Sequence, residues 1–240
     1  MIIGSNPHTY ANKLLDFVVC YSRIYKIVKI IKTESKFVIE NSSKSEIPDA
    51  NLTELMNKYG SDTGTYHRYT DVYESVLKKR RHKIEKVLEI GIGTNNPELL
   101  SSMGKTGIPG ASLRAWRDYF PNAKIIGLDI DRNIQFSEKS IATDYVNQLK
   151  PATFNPITKL LLNSIDLVVI DGLHTPRADF NSLVELLPFT SDEGDFFIED
   201  VGNLAIKFFW PPILTILPNK YNVNKYVRNE GNLIHLAGRK

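Results

Sequence analysis

Between Lys86 and Gly93 the chain reads Lys-Val-Leu-Glu-Ile-Gly-Ile-Gly, and no other stretch constrains the fold as tightly. Val87, Leu88 and Ile90 supply a buried strand that stops on a glycine turn with Glu89 beside it. Gly91 and Gly93 have no Cβ, so the backbone there can come close to a ligand. Three further apolar runs end on an acid: Lys124–Asp129, Leu167–Asp171 and Phe196–Asp200. Ligands of open α/β sheets bind at the carboxyl ends of the strands. Four strands ending in carboxylates therefore point to one sheet edge as the site.

Strands 86–90, 124–129, 166–171 and 195–199 alternate with helical patterns at Ser112–Tyr119, 157–163 and Ala178–Leu187. Such alternation predicts an α/β fold with a mostly parallel sheet and helices on both faces. Tyr221–Arg228 and Asn232–Ala237 flank Asn229-Glu230-Gly231 and read as an antiparallel hairpin closing the sheet. Upstream, Leu52–Tyr59 reads as a short helix capped by Asn51 or Thr53. Asp71–Arg81 reads as another, and its basic run Lys78-Lys79-Arg80-Arg81 as a solvated end that favours the helix dipole.

Residues 1–50 read as a helical appendage with a polar linker at Glu40–Asp49, leaving 51–240 as the main domain. The apolar stretch Leu14–Ile31 is interrupted by Arg23, Lys26 and Lys29, which argues against a transmembrane segment. It is expected to pack on the domain or on a second copy in a homo-oligomer; weak contact with a membrane surface is the lesser alternative. The whole chain has 240 residues, 42% hydrophobic, enough for a substantial core. Its net charge of +3 is spread as lysines among acids, so no nucleic-acid partner is expected. The single cysteine, Cys20, excludes an internal disulfide framework and suits a cytoplasmic setting.

The glycine turn lacks the third glycine of a dinucleotide fingerprint, because Asn96 stands in its place. Gly104-Lys105-Thr106 resembles the end of a phosphate loop, but Leu99 occupies the position where its first glycine belongs. What remains is an adenosine-type ligand held by acids. Asp129 would accept from both ribose hydroxyls, and Glu89 would orient a cationic amine or the turn itself. A cofactor with ribose, adenine and amino-acid parts and no phosphate is S-adenosylmethionine. The plain alternative is that both acids cap loops; two of them on adjacent strand ends favour the ligand.

A second constellation joins Asp171-Gly172-Leu173-His174 to Glu199-Asp200. Carboxylates converging at one edge repel unless a positive charge lies between them. An oxygen-rich set without cysteine suits a hard cation such as Mg²⁺, or else Mn²⁺ or Ca²⁺. His174, three residues after Asp171, is placed to take a proton near neutral pH. A third group, Lys58-Tyr59-Gly60-Ser61-Asp62-Thr63-Gly64 followed by His67, Tyr69 and Tyr73, reads as a turn and a helix with aromatic positions. For His67 the choice is between a hydrogen-bonded structural histidine and a gate over the site.

Six blocks carry a family resemblance: Lys-Tyr-Gly-Ser-Asp with a following His and Tyr (58–69), Leu-Glu-Ile-Gly-Ile-Gly (88–93), Ala-Ser-Leu-Arg-Ala-Trp-Arg-Asp-Tyr-Phe-Pro-Asn-Ala (111–123), Gly-Leu-Asp-Ile (127–130), Asp-Gly-Leu-His (171–174) and Ile-Glu-Asp (198–200). In these the chain resembles the metal-dependent class I sugar O-methyltransferases of the mycinamicin-macrolide type. The resemblance implies a three-layer Rossmann-like fold with a seven-stranded mixed sheet and an antiparallel C-terminal strand. It implies Glu89, Gly91, Ser112, Leu113 and Asp129 around S-adenosylmethionine, with Asp144 near the adenine. It implies Asp171, Glu199 and Asp200 on Mg²⁺, His174 as general base, and a sugar hydroxyl as acceptor. The chain departs from the family at Gly107-Ile108-Pro109-Gly110-Ala111, at Ile170, where the family has a second acid, and over 203–219. The aromatic residues of that last segment read as a lid or an acceptor wall, or else as core packing or a subunit contact. Two other functions remain on the sequence: methylation of a non-sugar hydroxyl or acid, and a non-catalytic module that keeps the cofactor fold.

Overall fold

The computed structural model describes residues 51–64, 67–157, 165–217, 221–228 and 231–238. The predicted N-terminal appendage, the homo-oligomer contact drawn from it, most of the helix expected at 157–163 and the tip of the tail hairpin lie outside the described residues.

Eight strands are present among the described residues: β1 (Lys86–Ile90), β2 (Lys124–Asp129), β3 (Ser137–Glu138), β4 (Ile141–Tyr145), β5 (Ile165–Ile170), β6 (Thr190–Ile198), β7 (Tyr221–Tyr226) and β8 (Leu233–Gly238). They form one sheet in the order β3-β4-β2-β1-β5-β6-β8-β7. β4, β2, β1, β5 and β6 run parallel, while β8 is antiparallel to both β6 and β7. The expected seven-stranded sheet is thus extended to eight. The extra strand is the two-residue β3, antiparallel to β4 at the edge and too short for any hydrophobic period to reveal.

Alternation along the central strands builds two cores. Leu88 and Ile90 of β1, Val168 and Ile170 of β5, and Phe196 and Ile198 of β6 pack on one face under α4 (Pro176–Leu186) and α5 (Trp210–Thr215). Val87, Leu167, Val169 and Phe197 pack on the other under α1 (Leu52–Tyr59), α2 (Thr70–Leu77) and α3 (Ala111–Tyr119). Strands buried on both faces read as near-continuous apolar runs, which is why the sequence shows them clearly.

Asn51, not Thr53, caps α1: its Oδ1 accepts from the backbone N–H of Thr53 at 2.9 Å. Gly60 closes the same helix at φ 84° and delivers the chain to the sheet edge. The basic run after α2 is solvated only in its first half, where Lys78 and Lys79 are exposed. Arg81 is buried, with its guanidinium 5.6 Å from the ring of Tyr119, and Arg80 donates to Asp195 Oδ2 at 2.8 Å. Aromatic and acidic partners contributed from distant elements decide this, and no local pattern announces them.

Candidate functional site

The register of the parallel strands brings the four acidic strand ends together. Ile90 pairs with both Leu128 and Ile170, and Ile170 pairs with Ile198, so Gly91, Asp129, Asp171 and Glu199 follow at one level. Asp171 donates its N–H to Ile90 O and Glu199 its N–H to Ile170 O, which carries the ladder one step past each strand. Above this edge lies a cavity of about 440 Å³. Its floor holds Gly91, Ile92, Gly93, Asp129, Asp171, His174, Glu199 and Asp200. Gly60 to Asp62 and His67 form one side, and loop residues Met103, Thr106, Gly107 and Ile108 with Ser112 form another.

Gly91 is required by a close approach of backbone to backbone. A Cβ there would lie 1.9 Å from Asp171 O, and φ is 90°. At Gly93 the space for a Cβ is filled by Met103, whose sulfur would be 2.3 Å away. The Met103 loop is held by Asn95, which donates to Gly104 O at 2.6 Å and Gly107 O at 2.9 Å.

Asp129 stands on the wall where the sequence placed it. Its Oδ2 accepts from Ile92 N at 3.0 Å and its Oδ1 from Asp131 N at 2.8 Å. A carboxylate has about four acceptor positions, so both oxygens keep capacity for ligand hydroxyls. Burial pushes its pKa up, opposed by these N–H donors. Glu89 is turned elsewhere: it shares the face of Val87, accepts from Trp116 Nε1 at 2.5 Å and from Ser112 Oγ, and is buried away from the cavity wall. Burial raises its pKa to about 7 against the pull of both donors. Ser112 does reach the wall, while Leu113 packs into the space left by Gly127. Asp144, on β4, is exposed and accepts from the N–H of Tyr145; it does not line the cavity.

At the other end, Asp171, His174 and Asp200 each bring one ligand-capable atom within 4.8 Å of the others. His174 Nε2 is 3.8 Å from Asp171 Oδ1. Burial lowers the His174 pKa, which leaves the imidazole neutral and able to accept a proton at pH 7. Asp171 is pushed well above the ordinary carboxylate range by burial, then by Glu199 and Asp200; Glu199 is raised by burial and by Asp200. Half-buried Asp171 and Asp200 beside buried Glu199 repel one another, and such a set fits a hard divalent cation, which would supply the missing positive charge. Glu199 stands beside the three-residue cluster, its Oε1 accepting from Tyr73 OH. His174 and Asp200 hold left-handed backbone at φ 53° and 49°, conformations that cost about 1–3 kcal/mol each in non-glycine residues.

His67 lies on the cavity wall, its Nδ1 3.3 Å from Asp200 Oδ1 and its ring stacked on Tyr69. Sequence reasoning missed two clamps. Gln148 accepts from Leu173 N at 2.8 Å and fills the space against Gly172, fixing the loop between Asp171 and His174. Asn232 donates to Val201 O at 2.7 Å and fixes the turn after Asp200. The described part of the 203–219 segment, residues 203–217, stays off the cavity wall: Trp210 is core, whereas Leu204 and Phe208 are each 72% exposed. No helix among the described residues is long and apolar enough to cross a membrane.

No family model matches the chain. It is 30% identical over 169 residues to mycinamicin VI 2''-O-methyltransferase of Micromonospora griseorubida, covering 70% of this chain and 38% of that protein. It is 30% identical over 162 residues to demethylmacrocin O-methyltransferase of Streptomyces fradiae, covering 67% of this chain and 38% of that one. A tetracenomycin-C rhamnosyl 2'-O-methyltransferase of Streptomyces olivaceus is 28% identical over 160 residues, 67% of this chain and 39% of its own. The chain therefore spans about two fifths of the length of these relatives. Among solved structures, the MycE methyltransferase of the mycinamycin pathway, in complex with Mg, SAH and mycinamycin VI, superposes with a TM-score of 0.63 at 24% identity, covering 80% of this chain and 56% of that one. The fold is that of the class I methyltransferases.

Proposed function

We propose, from the premise that the chain belongs to the sugar O-methyltransferase family of these relatives, that it transfers a methyl group from S-adenosylmethionine to a hydroxyl of a sugar or sugar-bearing metabolite with the help of Mg²⁺. The observation that carries this reading is one cavity holding both a glycine-turn and Asp129 wall and, across the same floor, the cluster of Asp171, His174 and Asp200. The cofactor would lie against Gly91, Gly93, Ser112 and Asp129. Asp171 and Asp200, with Glu199 next to them, would hold the cation. When bound, the cation supplies a positive charge that favours ionisation of the acceptor hydroxyl. Its oxygen-only carboxylate donors favour Mg²⁺, with Mn²⁺ and Ca²⁺ as alternatives.

His174 is the residue placed to move a proton. Its Nε2, on the side of Asp171, accepts the hydroxyl proton, and burial keeps the ring neutral until then. The acceptor oxygen then attacks the methyl group of the sulfonium, a new C–O bond forms and the C–S bond breaks, leaving S-adenosylhomocysteine. Asp129 and the glycine turn orient the donor, and proximity supplies much of the rate. A cytoplasmic setting is part of the same reading.

The test is calorimetric titration with S-adenosylhomocysteine with and without Mg²⁺, in wild type and His174→Ala. Micromolar binding by both proteins, with methyl transfer to sugar acceptors abolished in the variant, is the expected result. Absence of binding by the wild type in either condition would reduce the chain to a non-catalytic module with the same fold; full activity of the variant would remove His174 as the base.

A further inference from the structure

Glu199 and Asp200 directly follow β6, and continued strand alternation would point their side chains to opposite faces, out of reach of one helix. One helix nonetheless reaches both. Tyr73 OH donates to Glu199 Oε1, and Tyr69 OH donates to Asp200 Oδ1 at 2.8 Å. The left-handed backbone at Asp200, φ 49°, ends the alternation of β6 and turns the second carboxylate toward the helix. Tyr69 and Tyr73 are four residues apart at the start of α2, so their side chains lie on one face, roughly 6 Å apart. Both are fully buried. Tyr73 is locked edge-on by Trp116 at 5.1 Å and Phe197 at 4.6 Å, and Tyr69 by the stacked ring of His67 at 5.3 Å. The chain leaves room for the pair: a Cβ on Gly231 would meet Tyr69 Oη at 2.2 Å and Asp200 Oδ1 at 2.7 Å.

We propose that Tyr69 and Tyr73 are positioning residues for the cation site, each engaging one oxygen of Asp200 or Glu199 so that the other oxygen is presented to a divalent metal. The inference rests on the metal reading given under the proposed function, and adds to it the residues that set the carboxylate geometry. A phenol donates one hydrogen bond and carries no charge here, so it orients a carboxylate without competing for the cation as a lysine or arginine would. Among the described residues His67 brings a basic side chain to this pair, its Nδ1 sharing Asp200 Oδ1 with Tyr69 at 3.3 Å. The contacts to Asp200 from His67 and Tyr69 both fall on Oδ1, on the side of α2. Partners of this outer kind fix the orientation of metal ligands, and their loss typically weakens metal binding about 10–100-fold.

The experiment titrates the full chain with MnCl₂ and follows free Mn²⁺ by electron paramagnetic resonance. Wild type, Tyr69→Phe, Tyr73→Phe and the control Tyr119→Phe are compared, since Tyr119 OH reaches Glu74 and not the acidic pair. The expected result is a loss of Mn²⁺ affinity of about tenfold or more in each of the first two variants and none in the control. Methyl-transfer assays should show the Mg²⁺ requirement rising by a similar factor while the Michaelis constant for S-adenosylmethionine stays unchanged, a split that a general loosening of the fold would not give. Melting in EDTA reports whether each variant folds. Each tyrosine serves its own carboxylate, so one folded variant suffices. If neither folds, the tyrosine difference spectrum of the wild type on Mn²⁺ addition decides, with a shift expected and its absence overturning the proposal. Binding to the Phe variants within about twofold of wild type would also overturn it while leaving the metal reading intact. Failure of the wild type itself to bind Mn²⁺ would sink the metal reading and the proposal with it.

Discussion

Glu89→Gln isolates a buried carboxyl whose environment is fully described. Glu89 accepts from Trp116 Nε1 and Ser112 Oγ, yet burial outweighs these donors and raises its pKa from 4.5 to about 7. An unfolded chain would release this proton near the ordinary value. Below pH 4.5 the carboxyl is protonated in both states and its contribution to stability is fully present. As the pH rises through 4.5 to 7 the unfolded state ionises first, so the native state loses stability over that window. The gap amounts to roughly 3 kcal/mol, complete by about pH 7.5. Glutamine cannot ionise and should lose none of it, although its amide N–H₂ must face one of the two donors and adds a penalty that does not vary with pH. Urea unfolding of both proteins in EDTA, at intervals from pH 4.5 to 8, reads the difference directly. The wild type should lose about 3 kcal/mol relative to the variant across the window. Relief of Asp171 and Glu199, whose pKa values Glu89 also raises, adds to the difference with the same sign. Parallel stability curves would refute the argument that burial dominates at Glu89.

Gly91→Ala places a Cβ 1.9 Å from Asp171 O at φ 90° and should cost more than about 3 kcal/mol in thermal unfolding, whereas Gly104→Ala, at φ 73° with nothing within 4 Å, should cost about 1 kcal/mol. Gln148→Ala strips the partner from Leu173 N–H and should destabilise by about 1–3 kcal/mol, and in activity assays turnover should fall while S-adenosylhomocysteine affinity holds. Asp171→Asn relieves the repulsion from Glu199 and Asp200, so its melting temperature in EDTA should exceed that of wild type, while the further rise that wild type shows with Mg²⁺ should vanish.

The strands and their acidic ends were legible because each is buried on both faces and written as an unbroken apolar run, such as Leu167 to Ile170. The convergence of Asp171 and His174 with Asp200 followed from that placement. Glu89 shows what alternation adds: sharing a face with Val87 puts it under α3, a consequence readable in Lys86–Ile90 but outweighed by the pull of the glycine turn. Gln148 and Asn232 could not be read, because each meets a backbone group 25 or 31 residues distant and no spacing marks it. The π-helical stretch Ala205–Phe209 escaped for a related reason, since its five-residue hydrogen-bond step follows neither strand nor α-helix period. Tyr69 and Tyr73 did carry a signal in their i, i+4 spacing, but only the turn at Asp200 reveals what that face is for.

The left-handed backbone makes His174 and Asp200 unequal positions. Glycine at His174 would relax the chain and remove the imidazole in one step. Glycine at Asp200 would relax it too, but would leave the buried hydroxyl of Tyr69 without its acceptor, so the strain released there is offset by a lost hydrogen bond. The first residue is thus held in place by nothing but its side chain's place in the cavity, and the second is also a strut of the fold.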